Sequence, residues 1–315
     1  MTSFPKVALG SWSWGAGFAG GDTVFGNHLS DSQMAEVFHT AMDKGLNLWD
    51  TAAVYGMGSS EAALGKLVRQ YPRENIILST KFTPQIADEQ SAQPVNTLLE
   101  ASLGRLGVED IDIYWIHNPS DVEKWTPGLI PLLQSGKVKR VGVSNHTLAQ
   151  IRRANEILHT GGFAVNAVQN HYSLLYRSSE QAGILDYCRQ NGMTFFSYMV
   201  LEQGALSGRY DSRHPMPAGS SRAESYNLVL PQLEKLIAAM KTMAVEKEAS
   251  VAQIAIAWTI AKGTLPIIGA TKVEHVLDAA AAAEIHLTPD ETVTLERLAR
   301  ETGVDTRGAW EKPMM

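Results

Sequence analysis

The sequence predicts an α/β fold, a closed (β/α)8 or TIM barrel in a single domain over residues 1–315. Three observations carry that prediction. Eight short apolar, β-rich runs recur along the chain, and helix-period segments lie between them. Polar side chains stand near the ends of these runs at intervals of roughly 24 to 36 residues, the length of one strand, one helix and two loops. Strands alternating with helices pair in parallel, because a right-handed crossover returns each strand beside the last. Nearly continuous apolar runs suit a sheet covered by helices. An open doubly wound sheet is the second choice.

The runs, in order, are VALGSW, LNLWDTA, NIILSTKF, DIDIYWIH, VKRVGVSN, AVNAVQN, MTFFSYMV and LPIIGA. After the first, Met34, Val37, Phe38 and Ala41 form one apolar stripe, and Gly45 supplies a left-handed stop. Leu98, Leu99, Leu103 and Leu106 mark another amphipathic helix, closed by Gly107. Ser30 with Gln33, Ser250 with Gln253, and Thr288 with Glu291 read as capping boxes, the last with Pro289 at the first helical position. The segment VAQIAIAWTIA is apolar nearly all round and should be the most buried helix. The last unit carries an insertion at about 201–249 whose stretch SRHPMPAGSSR predicts a mobile loop or a cofactor-covering flap. GAGFAG, from Gly15 to Gly20, matches a G-x-G-x-x-G fingerprint, but no helix is expected to begin there, so it reads as a substrate-side loop.

Composition narrows the partners. A net charge of −6 with scattered Lys and Arg argues against nucleic acid. No apolar run is long enough to span a bilayer, the N-terminus lacks a secretory pattern, and the lone Cys188 cannot form an internal disulfide. A soluble cytoplasmic protein is expected. Cys188 should be buried and inert, and oligomeric state is not legible. His28, His39, His146, His159, His171, His214 and His286 fit no zinc spacing; they read as surface or loop residues, and no metal is expected.

Barrel enzymes gather reacting groups at the C-terminal ends of strands. Here the second run ends in Asp50 with Tyr55 in the following loop, the third in Lys81 and the fourth in His117. Lys81 would lower the Tyr55 phenol pKa, Asp50 would keep Lys81 protonated, and His117 could donate a hydrogen bond to a carbonyl oxygen. Tyr55 would then be the proton donor. The set contains no nucleophile with a base, no metal cluster and no carboxylate pair, so the electrons must come from elsewhere, and a hydride-carrying cofactor is the natural supplier. Trp12 and Trp14 straddle the end of the first run; alternation would send one into the barrel, and they are the substrate-pocket candidates.

These residues sit in motifs that resemble the aldo-keto reductase family over nearly the whole chain: DTAAVYG at 50–56 followed by GSSE, STKF at 79–82, IHNP at 116–119, GVSN at 142–145 and VQNHYSLL at 168–175. The resemblance implies a catalytic tetrad of Asp50, Tyr55, Lys81 and His117, and NADPH-dependent interconversion of a carbonyl and an alcohol. It implies that Ser144, Asn145 and Gln169 hold the nicotinamide carboxamide while Tyr198 stacks on its ring. The pyrophosphate loop would include Gln203, Gly204, Ala205 and Leu206, although Met199 and Val200 replace the usual Ser-Pro. In GATKVEHVLDAA, which starts at Gly269, the residues Thr271, Lys272 and His275 would bind the 2′-phosphate and Asp278 the adenine amine. Ala279 cannot replace the usual asparagine, so NADPH preference with weaker affinity is expected, NADH remaining possible. The partner would be a small-molecule carbonyl compound. Two rival readings are a Schiff-base lyase or aldolase using Lys81, and a non-catalytic nucleotide-binding regulatory subunit. The C-terminal segment GAWEKPMM could fold over the barrel mouth.

Overall fold

The computed structural model describes residues 4–308 and 311–314. Eight parallel strands close into a barrel: β1 (Ala8–Gly10), β2 (Leu48–Asp50), β3 (Ile77–Phe82), β4 (Ile111–Ile116), β5 (Val138–Ser144), β6 (Ala167–His171), β7 (Thr194–Tyr198) and β8 (Leu265–Gly269). Closure joins β1 to β8 with Leu9 opposite Ile268. All eight expected runs hold a strand.

Strand alternation divides the barrel wall. Ala8, Leu48, Ile113, Trp115, Ala167, Phe196 and Leu265 form an apolar cluster inside the barrel. Phe4 meets Phe196 edge-on at 5.7 Å, and Phe196 meets Trp115 at 5.2 Å, so aromatic rings fill the floor. Trp115 fits because β5 carries Gly142 opposite it; a Cβ at Gly142 would approach the indole to 2.3 Å. Two residues further along the strands, the interior turns polar at Asp50, Lys81, His117, Ser144 and Gln169. The site therefore stands on a packed apolar base.

The outer layer follows the sequence closely. In the helix Asp31–Asp43 the buried residues are Met34, Val37, Phe38 and Ala41. All three expected capping boxes form, and a fourth, Thr147 with Gln150, opens the helix Leu148–His159. Helix Val251–Ala261 buries seven of its residues, from Val251 to Thr259. Cys188 is buried, which pushes its thiol up to about 12.

Several expectations need correcting. The glycine segment does lead into a helix, Gly21–Phe25, but the Gly17 N–H donates to both oxygens of Asp22, at 3.0 and 2.9 Å. The Asp22 carboxylate thus already takes the Gly17 N–H. The insertion is largely ordered: a 3-10 segment Glu202–Ser207, a helix Ser221–Tyr226 capped by Ser220, and a long helix Leu230–Glu246. Its irregular part shrinks to 208–220 because Leu233, Leu236, Ile237 and Met240 give the following chain an apolar face to bury. His146 and His171 are fully buried, not surface residues. Ala309, Trp310 and Met315 of the C-terminal segment lie outside the described residues. No helix among the described residues is long and apolar enough to cross a membrane.

Candidate active site

The four strand-end groups converge. Lys81 Nζ donates to Asp50 Oδ2 at 2.5 Å, to the Thr51 carbonyl at 2.7 Å and to the Tyr55 hydroxyl at 3.4 Å. An ammonium has three protons, and all three have an acceptor. Asp50 is held in turn: its Oδ1 accepts from Ser79 Oγ at 2.6 Å and from Gln169 Nε2 at 3.2 Å, and Ser79 Oγ accepts from Trp115 Nε1 at 2.6 Å. The chain of contacts runs from the aromatic floor to the phenol. Tyr55 is presented by the turn Tyr55–Gly58, where Gly56 has φ +56 and a Cβ would lie 2.1 Å from Ser59 Oγ. Only glycine fits there.

Burial alone would lower the Lys81 pKa, but Asp50 and Tyr55 reverse that and hold it above its ordinary value. The phenol departs from expectation. Burial raises the Tyr55 pKa, and although Lys81 pulls it down, burial with the nearby Asp50 charge wins, so the net direction is upward. Burial, followed by the charge of Lys81, drives His117 well below its usual range and keeps its ring neutral. His117 Nδ1 meets Thr83 Oγ1 at 2.8 Å and its ring meets Tyr55 edge-on at 5.7 Å.

The two tryptophans separate. Trp12 stacks on the Tyr55 ring at 5.3 Å with its indole N–H donating to the Ala19 carbonyl at 2.8 Å. Trp14 is a correction to the substrate-pocket expectation: it is buried against Trp49 at 5.1 Å, and its N–H donates to the Ala270 carbonyl. The cause is local, since residues Trp12–Trp14 form a 3-10 turn and not a continued strand. Phe18 and Met57, 74% and 55% exposed, belong to the same two loops as Trp12 and Tyr55.

Beside these four groups, Ser144, Asn145 and Tyr198 stand at the ends of β5 and β7, and Gln169 lies within β6. Asn145, at φ +62, donates through Nδ2 to the His117 carbonyl at 3.0 Å, and its Oδ1 accepts from the Tyr198 hydroxyl at 2.5 Å. In the loop after β7, Met199, Glu202, Gln203 and Gly204 all have positive φ, and Leu206 is buried. After β8, Gly269 is open, and Thr271 N–H donates to His275 Nδ1 at 3.3 Å beside Lys272, the N-cap of helix Val273–Ala282. Burial, then the Lys272 charge, lowers the His275 pKa. Asp278 accepts from Gln253 at 2.7 Å, which turns one of its oxygens toward helix Val251–Ala261.

The family model described as the aldo/keto reductase family matches residues 6–300. The chain belongs to the aldo/keto reductase family. It is 33% identical to the chloroplastic pyridoxal reductase of Arabidopsis thaliana over 95% of this chain and 84% of that one. It is 29% identical to the NADP(+)-named aldo-keto reductase yakc of Schizosaccharomyces pombe over 89% of this chain and 85% of that one. A solved Klebsiella pneumoniae aldo/keto reductase, in complex with NADP and acetate, superposes with a TM-score of 0.73 at 28% identity, covering 94% of this chain and 91% of that one.

This aldo/keto reductase also gathers residues that sequence reasoning missed. Arg222, from the insertion, donates to the Gln203 carbonyl at 3.4 Å, while its Nε and the Gln203 Oε1 are buried without a partner. The charge of Arg209 is felt at His275. Neither arginine stands at a strand end, so nothing in the pattern of runs marks it. His171 had a signal: it lies two residues beyond Gln169 on the same face of β6.

Proposed function

We propose that this protein reduces aldehydes or ketones to alcohols with NADPH, Tyr55 donating the proton. The observation that carries this reading is the Lys81 ammonium with its protons directed at Asp50, Thr51 and Tyr55. The residues present fit the cofactor: Arg222 Nε and Gln203 Oε1 are buried polar atoms in want of partners, and Arg209, Lys272 and Thr271 offer cations and donors suited to a 2′-phosphate. That charge favours NADPH over NADH. Ser144, Asn145 and Gln169 would orient a carboxamide, and Tyr198 would support the ring. NADPH, when bound, supplies a hydride.

The chain's own groups handle the oxygen. In the tautomer where Thr83 donates to Nδ1, the neutral His117 carries its proton on Nε2 and can direct it at a carbonyl oxygen. Tyr55 holds its proton at rest because burial raises its pKa, and releases it to the strongly basic alkoxide that forms. Lys81 then faces the phenolate. A lysine with a raised pKa and three acceptors is a poor nucleophile, which argues against Schiff-base chemistry. The apolar rim of Trp12, Phe18 and Met57 favours flat aromatic aldehydes over polyhydroxylated ones, and the Arabidopsis relative is named a pyridoxal reductase.

The test compares wild type with Tyr55→Phe on pyridoxal, a benzaldehyde and glyceraldehyde, following NADPH oxidation. kcat/KM should fall roughly 10²- to 10⁴-fold in the variant, with NADPH fluorescence titration unchanged. Equal turnover by the two proteins would refute the role of the phenol.

A further inference from the structure

We infer that Glu311 is a positioning residue for the dinucleotide: the C-terminal segment is a latch that ties the Tyr198 shelf and the loop after β7 into one unit. The inference rests on the cofactor site proposed above.

The latch is built on a buried imidazole. His171 Nε2 lies 2.9 Å from Glu202 Oε1, and its Nδ1 lies 2.9 Å from Glu311 Oε1 and 3.2 Å from Oε2. All three side chains are fully buried. Carboxylates only accept, so both ring nitrogens must carry protons and His171 is an imidazolium. The two carboxylates outweigh the effect of burial and raise its pKa to about 9.

Each carboxylate then reaches a different part of the proposed dinucleotide site. Glu202 belongs to the loop after β7, at φ +46 between Met199 at +60 and Gln203 at +51. Non-glycine residues in this region need outside support, and the Glu202 side chain supplies it by accepting from His171, Ser173, Thr306 and Tyr226. Glu311 Oε1 shares the Tyr198 hydroxyl proton, at 3.2 Å, with Asn145 Oδ1. Tyr198 lies over His171 at 5.6 Å and His171 over Tyr176 at 4.3 Å, a stack of three rings with the cation in the middle. The segment is anchored on both sides, by Thr306 on Glu202 and by the buried Met314, whose sulfur accepts from Asn170 at 3.7 Å. The segment is therefore bonded to the nicotinamide and pyrophosphate side, and its release and the opening of the β7 loop are one event.

The groups facing His171 are Glu202 from the loop after β7, Glu311 from the segment, Tyr226 through Glu202 from helix Ser221–Tyr226, Tyr176 from the loop after β6 and Tyr198 from the end of β7; Asp305 and Arg307 act on Tyr176 from further out. Glu311→Gln, Glu311→Asp and a chain ending at Gly308 test the proposal, each checked for an intact fold by circular dichroism. Binding and release of NADPH are read by fluorescence titration and stopped flow, and cleavage of the segment by limited proteolysis with and without NADPH. Glu311→Gln and the truncated chain should bind NADPH roughly 5- to 20-fold more weakly through faster release, with the carbonyl KM unchanged and kcat unchanged or higher. Glu311→Asp should recover part of the affinity. In wild type NADPH should protect the segment from proteolysis, and affinity should fall as pH rises through about 9, a step moved to lower pH in Glu311→Gln, where Glu202 alone faces the imidazolium. Wild-type NADPH affinity and release in a folded Glu311→Gln protein would overturn the inference alone, as would a rise confined to the carbonyl KM. A wild-type protein that does not bind NADPH would remove the cofactor reading and this inference with it.

Discussion

The buried imidazolium makes stability depend on pH in a way that can be worked out from one residue. His171 has an ordinary value of 6.5 and is raised to about 9 in the folded protein. A shift of that size corresponds to about 3 kcal/mol of preference for the protonated folded state. The folded state binds the proton more tightly than the unfolded chain. The contribution is therefore complete below about 6.5, declines as pH rises above that, and is gone once pH passes about 9. Because His171, Glu202 and Glu311 are fully buried, little of this is screened by solvent. Urea denaturation at closely spaced pH values across this window, on wild type and on His171→Gln, isolates the effect from the lysines and tyrosines that titrate higher. The difference in unfolding free energy between the two proteins should shrink by about 3 kcal/mol from the lower to the upper end. A difference constant across the window would show that His171 is not the cation between the two carboxylates.

Four further outcomes follow from the converging groups and the residues around them. Asp50→Asn removes the carboxylate 2.5 Å from a fully buried Lys81; breaking such a pair should cost about 3–5 kcal/mol in denaturant unfolding and lower kcat by roughly 10²-fold, and unchanged values would contradict the pairing. Arg222→Gln should weaken NADPH binding roughly tenfold in fluorescence titration with kcat preserved, and Lys272→Ala should cut the preference for NADPH over NADH by a similar factor. Since Tyr55 is held above its ordinary pKa, carbonyl reduction should be flat from about pH 6 to 9 while alcohol oxidation climbs over the same range; parallel profiles in steady-state assays would count against the phenol as the shared proton carrier.

The strands were legible because a parallel sheet covered by helices demands near-continuous apolar runs, and the convergence of Asp50, Lys81 and His117 because they close consecutive runs. What was illegible depends on contacts far apart in the chain. Glu202 and Glu311 stand 31 and 140 positions from His171, and no local period links them. Trp14 departs from the pocket expected for the pair because Trp12–Trp14 is a 3-10 turn, in which strand alternation does not decide where either ring points. The phenol direction was misread for a different reason. Lys81 is where the motif places it and does pull the pKa down, but the burial that opposes it arises from packing between segments far apart in the chain and is absent from any motif.

That burial changes what Lys81 is for. If the ammonium made the phenol acidic at rest, Tyr55 would stand partly ionised and would be a weaker donor for reduction. Here Asp50 stands beside Lys81 and Tyr55, and its charge offsets part of the ammonium's pull on the phenol. Lys81 thus stays charged without emptying Tyr55 of its proton. In the proposed reduction, once the proton passes to an alkoxide, the new phenolate would lie beside an ammonium already aimed at it, in surroundings of low polarity where that attraction is strongest. Because the donor is fixed before the charge appears, the step needs little rearrangement. On the proposed mechanism, the Asp50–Lys81 pair, costly as a stabiliser of the fold, would serve a charge that exists only during the reaction.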